Sequence, residues 1–205
     1  SLALEYDIIP DLTFRTQVSA DIIRRDDNFF KPSTVGRRGV ISTSEDNEIL
    51  AEFDGRTTTN WVVENTLTYN KTINEVHNFN LLLGFTAEKS RTSFESIDAQ
   101  GFPNDIVQTS NAATMINGSS NFILESSLKS ELARLTYDYD NKYFISAAVR
   151  RDVTSRFGIN ERTGVFPSVG LGYRISNEDF FPENKILSDL KFRASWGETG
   201  NFNIH

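Results

Sequence analysis

The chain contains no cysteine, one methionine and two histidines among its 205 residues. A disulfide scaffold and thiolate zinc centres are thereby excluded, while the compartment stays open. No apolar run approaches the roughly 18 residues of a membrane helix; the longest, Leu81 to Phe85 and Ile145 to Val149, are far shorter. Ser1 to Asp7 has no basic stretch followed by an apolar one, so no signal peptide is expected there. Basic residues are outnumbered, 21 against 28 acidic, and the net charge of −7 argues against nucleic acid as a partner. What the chain does have is aromatic side chains, at 12% and led by 16 Phe, far too many for a disordered segment.

Helical periodicity is scarce, and alternation of period two recurs. In Thr13 to Ile22, Phe14, Val18, Ala20 and Ile22 share a face, with Arg15, Gln17 and Asp21 opposite. The same pattern runs through Asn78 to Glu88, Tyr143 to Asp152, Ser168 to Ile175 and Leu190 to Gly197, and more weakly through Leu2 to Ile8, Trp61 to Tyr69 and Ala133 to Tyr139. Such a period marks a sheet with one apolar and one polar face. Eight strands are expected.

Connections between the windows alternate in length. Pro10-Asp11, Asn70 to His77 and Asp140-Asn141 are short; about Arg25 to Thr59, Lys89 to Ser127 and Arg151 to Val165 are longer; Ser176 to Asp189 is intermediate. In an up-and-down antiparallel meander the short turns then share one rim and the long loops the other. Outer-membrane barrels sort their connections in this way, whereas a soluble sandwich has no reason to. Trp61, Tyr69, Tyr143, Tyr173 and Trp196 lie on the apolar faces, as interfacial girdle residues would.

Chemistry has little to stand on. His77 falls in a short turn and His205 ends the chain, so no nucleophile has a placed base. There is no His-Glu-x-x-His pattern and no phosphate-binding Gly loop; Gly170 and Gly172 fall within a strand, where they mark close packing or a bend. No enzyme activity and no cofactor is expected. Arg150, Arg151, Asp152 and Arg156 form the densest charge group, read either as a cluster anchoring a loop or as a contact for an acidic ligand. Glu45-Asp46-Asn47-Glu48 reads as a solvated acidic loop before a calcium site. Phe29, Phe30 and Phe102 fall in expected external loops, where they would stack on a ligand or pack within the loop; with Arg156 they are the ligand-contact candidates.

The C-terminal third carries an ordered series: Asn141-Lys142-Tyr143, Arg150-Arg151-Asp152, Ser155-Arg156-Phe157-Gly158, Phe166-Pro167-Ser168, Gly172-Tyr173-Arg174-Ile175, then Leu187-Ser188-Asp189-Leu190-Lys191-Phe192-Arg193-Ala194-Ser195-Trp196-Gly197-Glu198-Thr199-Gly200-Asn201. Over about Tyr137 to Asn201 it resembles the SusC/RagA family of TonB-dependent outer-membrane transporters of Bacteroidota. A looser likeness runs from Asn60-Trp61 to Leu83-Gly84-Phe85. Val153 stands where the family often has Gly, which affects only the local turn.

The resemblance implies a 22-stranded transmembrane β-barrel, of which residues 1–205 would supply about eight strands, with a plug domain and the remaining strands elsewhere. It also implies a SusD-like surface lipoprotein and the TonB complex as partners, outer-membrane lipid around the wall, and a glycan or peptide as ligand. A soluble or secreted all-β carbohydrate-binding module, or a structural surface adhesin, is the competing reading. A sandwich of that kind would bury Leu81, Leu83, Val169 and Leu171 between two sheets.

Overall fold

The computed structural model describes residues 1–35, 49–182 and 188–200. Eight strands form one antiparallel sheet in chain order: β1 (Leu2–Ile9), β2 (Leu12–Lys31), β3 (Leu50–Ile73), β4 (His77–Gln100), β5 (Met115–Tyr139), β6 (Tyr143–Thr154), β7 (Thr163–Arg174) and β8 (Lys191–Gly197). Every neighbour in the sheet is a neighbour in sequence, so the chain is an up-and-down meander. The only helical pieces among the described residues are two single 3₁₀ turns, Ser110–Ala112 and Ile175–Asn177.

The tight turns are made by residues that tolerate a left-handed backbone. Asp11 has φ 76°, Asn74 and Glu75 have 51° and 62°, and Asp140 and Asn141 have 50° and 52°. Two successive positive φ values match the right-handed twist of the flanking strands. The turns are also joined to one another: Asn70 N–H donates to Asp11 O at 2.8 Å, Asp140 N–H to Val76 O at 2.7 Å, and Arg174 N–H to Lys142 O at 2.7 Å. Short connections therefore share one rim.

The strands outrun their hydrophobic pattern, which corrects the expected loops. Arg25 to Lys31 and Leu50 to Thr59 are strand, and so are Lys89 to Gln100 and Met115 to Ser127. β2 runs to Lys31 and β3 begins at Leu50, and the connection after β4 shrinks to residues 101–114. Beyond the apolar windows polar residues appear on both faces, so regular alternation fades from the sequence while the strands continue. Same-face charge pairs one pleat apart mark such a stretch: Arg24 Nε lies 3.0 Å from Asp26 Oδ2 and Arg25 Nε 2.6 Å from Asp27 Oδ2. β6 likewise runs on to Thr154 and β7 begins at Thr163.

Two compact units result. Ser1–Ala20, Trp61–Lys89 and Ser126–His205 form the first, and Asp21–Asn60 with Ser90–Glu125 the second. The second holds a small core, with Ile49, Ala51, Ala99 and Phe102 buried and Phe30, Phe53, Ile97, Ala112 and Ala113 packed on it. Among the described residues of the first unit no hydrophobic side chain is buried. A folded sheet with no apolar core needs a different solvent on one side.

Candidate functional site

Register places the side chains of the first unit on two chemically distinct faces. On one, successive cross-strand rows read Tyr139, Tyr143, Tyr173 and Phe192; Tyr137, Ile145, Leu171 and Ala194; Leu135, Ala147, Val169 and Trp196; then Ala133, Val149 and Pro167. No charge interrupts these rows. The next row ends the band, with Arg151 Nη1 3.1 Å from Glu131 Oε2. From Tyr139 to Glu131 the strand covers about the 9–11 residues that a tilted strand needs to cross a bilayer. The band is uncovered: Leu81 is 37% exposed, Leu83 43%, Val169 44% and Leu171 58%. The four residues that a sandwich would bury thus lie open, which disfavours the soluble-module reading.

An aromatic belt closes this face at the short-turn rim. Phe79 and Tyr137 stack at 4.7 Å, His77 and Tyr139 lie 5.0 Å apart, Tyr139 and Tyr143 6.2 Å, and Tyr143 and Tyr173 stack at 5.0 Å. His77 joins the belt through a 2.8 Å hydrogen bond between its Nδ1 and the Tyr137 hydroxyl. Sequence reading singled out Tyr143 and Tyr173 but left His77 as a turn residue. Trp196 sits deeper, opposite Val169, because β8 ends there.

The connection after β7 folds back on the belt. Glu178 Oε1 accepts the Tyr143 hydroxyl at 2.7 Å and the Tyr173 hydroxyl at 3.1 Å, with Lys142 Nζ 3.8 Å from Oε2. The Tyr143 hydroxyl, followed by that of Tyr173 and the Lys142 charge, holds the Glu178 carboxyl below its ordinary pKa against the opposing effect of desolvation. Asp140, which hydrogen-bonds Lys142, raises the pKa of that ammonium.

The opposite face is polar. Its rows read Asp138, Phe144, Gly172 and Arg193; Thr136, Ser146, Gly170 and Ser195; Arg134, Ala148, Ser168 and Gly197; Leu132, Arg150 and Phe166; then Ser130, Asp152 and Gly164. Glycine serves a purpose here. A Cβ on Gly172 would lie 3.2 Å from that of Phe144, and one on Gly170 2.6 Å from Ser146 Oγ. The room left is taken by the Phe144 ring, with Lys191 Nζ 3.2 Å from its centroid. A concavity of about 580 Å³ opens beside it, lined by Asn70, Asn78, Asn80, Phe144, Lys191 and Arg193. In β1 and β2 the same chemistry recurs: Thr13 Oγ1 donates to Asp7 Oδ1 at 2.7 Å, and Arg15 Nη2 to Gln17 Oε1 at 2.8 Å.

The arginine-rich group divides. Asp152 is 2% exposed and accepts from Arg150 Nε at 2.7 Å, while Arg150 Nη2 donates to Ser130 Oγ at 3.1 Å. Arg151 points to the other face. Arg156 is exposed in the turn after β6, its N–H donating to Thr154 Oγ1 at 3.3 Å. The structure therefore makes Arg150 and Asp152 an anchoring pair, with Arg156 in the turn beyond them.

Among the other candidates, Phe30 and Phe102 meet edge to face at 5.4 Å, with Phe102 only 7% exposed. Phe29, its neighbour on β2, is 57% exposed. The acidic run Glu45-Asp46-Asn47-Glu48 and His205 lie outside the described residues. Sequence reading missed a ladder across the second unit: Phe94 and Phe122 stack at 4.5 Å and 16°, and the Arg56 guanidinium lies 4.8 Å from the Phe94 centroid. All three fall in stretches expected to be loop, so their facing positions were not legible.

A sheet with one uncovered apolar band, an aromatic belt and a polar reverse side defines a membrane-type barrel wall. Residues 1–203 match the model for the TonB dependent receptor-like β-barrel, and the chain belongs to that family. It is 34% identical over 201 residues to TonB-dependent receptor P39 of Formosa agariphila, covering 96% of this chain and 19% of that protein. Over 83 residues it is 41% identical to TonB-dependent receptor SusC of Bacteroides thetaiotaomicron, covering 40% of this chain and 8% of the other. Among solved structures, that of the RagAB peptide transporter superposes with a TM-score of 0.87 at 25% identity, over 98% of this chain and 22% of the other. The chain thus spans about a fifth of the length of the relatives it matches along nearly all of its own length.

Proposed function

We propose that these residues form part of the wall of an energy-coupled outer-membrane importer for bulky nutrients such as glycans or peptides. The observation that carries this reading is the uncovered band from Tyr143 to Val149, backed by a polar face in the same strands. The band meets acyl chains; the reverse face keeps a path wet. β3, β4 and β5 have 24, 24 and 25 residues, so more than half of each lies beyond a crossing of about 9–11 residues. Those extensions stand on the outer side, where cargo arrives.

In the parent protein the remaining strands of a 22-stranded barrel complete the wall, and a plug domain fills it. A SusD-like surface lipoprotein closes over the long loops, and the TonB complex pulls the plug to open the polar path. The parent performs transport, and this part of its wall is assigned no bond-making chemistry. Phe29 and Arg156 contact cargo, while Phe30 and Phe102 hold the extension that presents Phe29. The relatives in Formosa and Bacteroides support a Bacteroidota-type outer membrane as its place.

Cysteines placed one at a time in the intact parent test the wall. Positions of Arg15, Gln17, Arg150, Arg174, Lys191 and Arg193 should react with a membrane-impermeant thiol reagent once the plug is displaced. Leu81 and Leu171 should not. Protection at the six polar positions combined with labelling at the two leucines would refute the assignment.

A further inference from the structure

Among the described residues, the second unit ends on a strand edge that no other strand covers. Ser127 directs both backbone groups to one side of β5: its N–H donates to Ser155 Oγ at 2.8 Å, and its C=O accepts the Ser155 N–H at 2.9 Å. In an antiparallel strand alternate residues turn these groups to the same side. Asn117, Ser119, Asn121 and Ile123 therefore present N–H and C=O on that edge. Pairing with β6 begins only at Leu128, opposite Thr154. In the sheet β5 has β4 and β6 as its neighbours, so among the described residues no strand covers the edge from Asn117 to Ile123. All of this stretch except Gly118 is exposed.

Exposed edges are ordinarily defended by Lys, Pro, a bulge or an inward charge. The sequence Asn117-Gly-Ser-Ser-Asn-Phe-Ile123 has no proline and no charged side chain. Beside it the Arg56–Phe94–Phe122 ladder crosses β3, β4 and β5 and stops, with Phe122 49% exposed. A further strand would continue it, placing an apolar side chain against Phe122 as a cross-strand pair.

We infer that the Asn117–Ile123 edge of β5 is a binding site for an extended, uncharged stretch of peptide cargo, which adds to the sheet as a strand with an apolar residue against Phe122. The chemistry selects this occupant. Alternating backbone donors and acceptors are met only by another extended backbone, an uncharged edge suits an uncharged segment, and the Phe122 ring supplies the side-chain preference. Recognition through the main chain reads little of the cargo's side-chain sequence. The inference rests on the importer reading above and narrows its cargo to peptide.

The test uses the full-length parent in lipid nanodiscs. The probe is a fluorescein-labelled neutral peptide that alternates Thr and Val around a central Phe, with copies N-methylated at one or the other set of alternate amides. One methylated copy should bind about tenfold or more weakly than the probe, and the other much as the probe does, since two lost backbone bonds amount to at least that factor. Asn121→Pro removes an edge N–H while sparing the bonds to β4 and should weaken the probe similarly. Asn121→Ala should leave binding unchanged. Equal binding of all three peptides, or wild-type binding by Asn121→Pro, would overturn the proposal, as would a dimer of the parent that Asn121→Pro dissolves. Uptake separates the two readings: cells that import a glycan but never the peptide refute the edge site alone, whereas cells whose uptake of every cargo is unchanged by deleting the parent refute the importer itself.

Discussion

The Tyr143 hydroxyl donates to Glu178 Oε1 at 2.7 Å, tying a strand residue of the aromatic belt to the connection after β7. Tyr173 donates to the same oxygen at 3.1 Å, so one carboxylate fastens two stacked rings. The connection is pinned to the rim by that oxygen. The Glu178 pKa is depressed in the folded state, so the stabilisation it gives is fully present above the ordinary carboxylate value of about 4.3 and is lost as pH falls through the lower folded value. Glu178→Gln should therefore lower the melting temperature of the parent at neutral pH. The difference from wild type should narrow as the buffer is taken below about pH 4. A difference independent of pH would show that the carboxylate charge plays no part.

Face determines tolerance to charge. Leu171→Arg sets a guanidinium in the uncovered band and should cost about 2–4 kcal/mol of folding free energy in lipid, whereas Ser168→Arg on the polar face should cost less than about 1 kcal/mol. Urea titration of the parent refolded into vesicles reads both. Equal penalties would mean that the two faces meet the same medium.

Asp152 and Arg150 close the far end of the polar face. Asp152→Ala strips the partner from Arg150 Nε but leaves a guanidinium that is nearly half exposed and still bonded to Ser130, so the loss should be about 1–3 kcal/mol. Arg156→Ala, in the exposed turn beyond, should cost at most about 1 kcal/mol, because the contacts of a solvent-facing guanidinium are worth little. If Arg156 contacts cargo as proposed, that variant should weaken uptake by more than its loss of stability accounts for.

The second unit separates packing from contact in adjacent residues. Phe102→Ala empties a buried ring site beside Phe30, Ala99 and Ala51 and should cost about 3–5 kcal/mol locally. Hydrogen exchange over Asp21–Lys31 and Ser90–Gln100 should accelerate while the strands of the first unit keep their protection. Phe29→Ala should leave exchange untouched and lower cargo affinity. Accelerated exchange in Phe29→Ala would make that ring structural.

Much of the fold was legible because a half-apolar strand writes its two faces into alternate residues. Tyr143 to Asp152 shows this best: Tyr143, Ile145, Ala147 and Val149 face out, and Phe144, Ser146, Ala148, Arg150 and Asp152 face in. The turn at Asp140-Asn141 was legible as well, since few residues besides Asn and Asp accept positive φ cheaply. Legibility failed where polar residues stand on both faces of the sheet. Arg24 to Lys31 and Ser90 to Gln100 are strands whose few packed apolar side chains, Phe30, Ile97 and Ala99, are too sparse for a hydropathy rule to distinguish the stretches from loops. The candidate site suffered accordingly: Phe94, Phe122 and Arg56 come together only through the register of those stretches. The anchoring of Arg150 by Asp152 could be anticipated from charge proximity, whereas the burial of Asp152 required the fold.

The central claim is that alternate residues of one strand meet lipid and water. It is tested most directly by spin-labelling positions 144 to 149 of β6 singly in the full-length parent, in a bilayer, and comparing collision rates with oxygen and with a water-soluble nickel chelate. The account predicts a period of two, with oxygen dominating at Ile145, Ala147 and Val149 and the nickel chelate at Phe144, Ser146 and Ala148. Collision rates that do not alternate, or that are low for both reagents at Ile145 and Ala147, would contradict it.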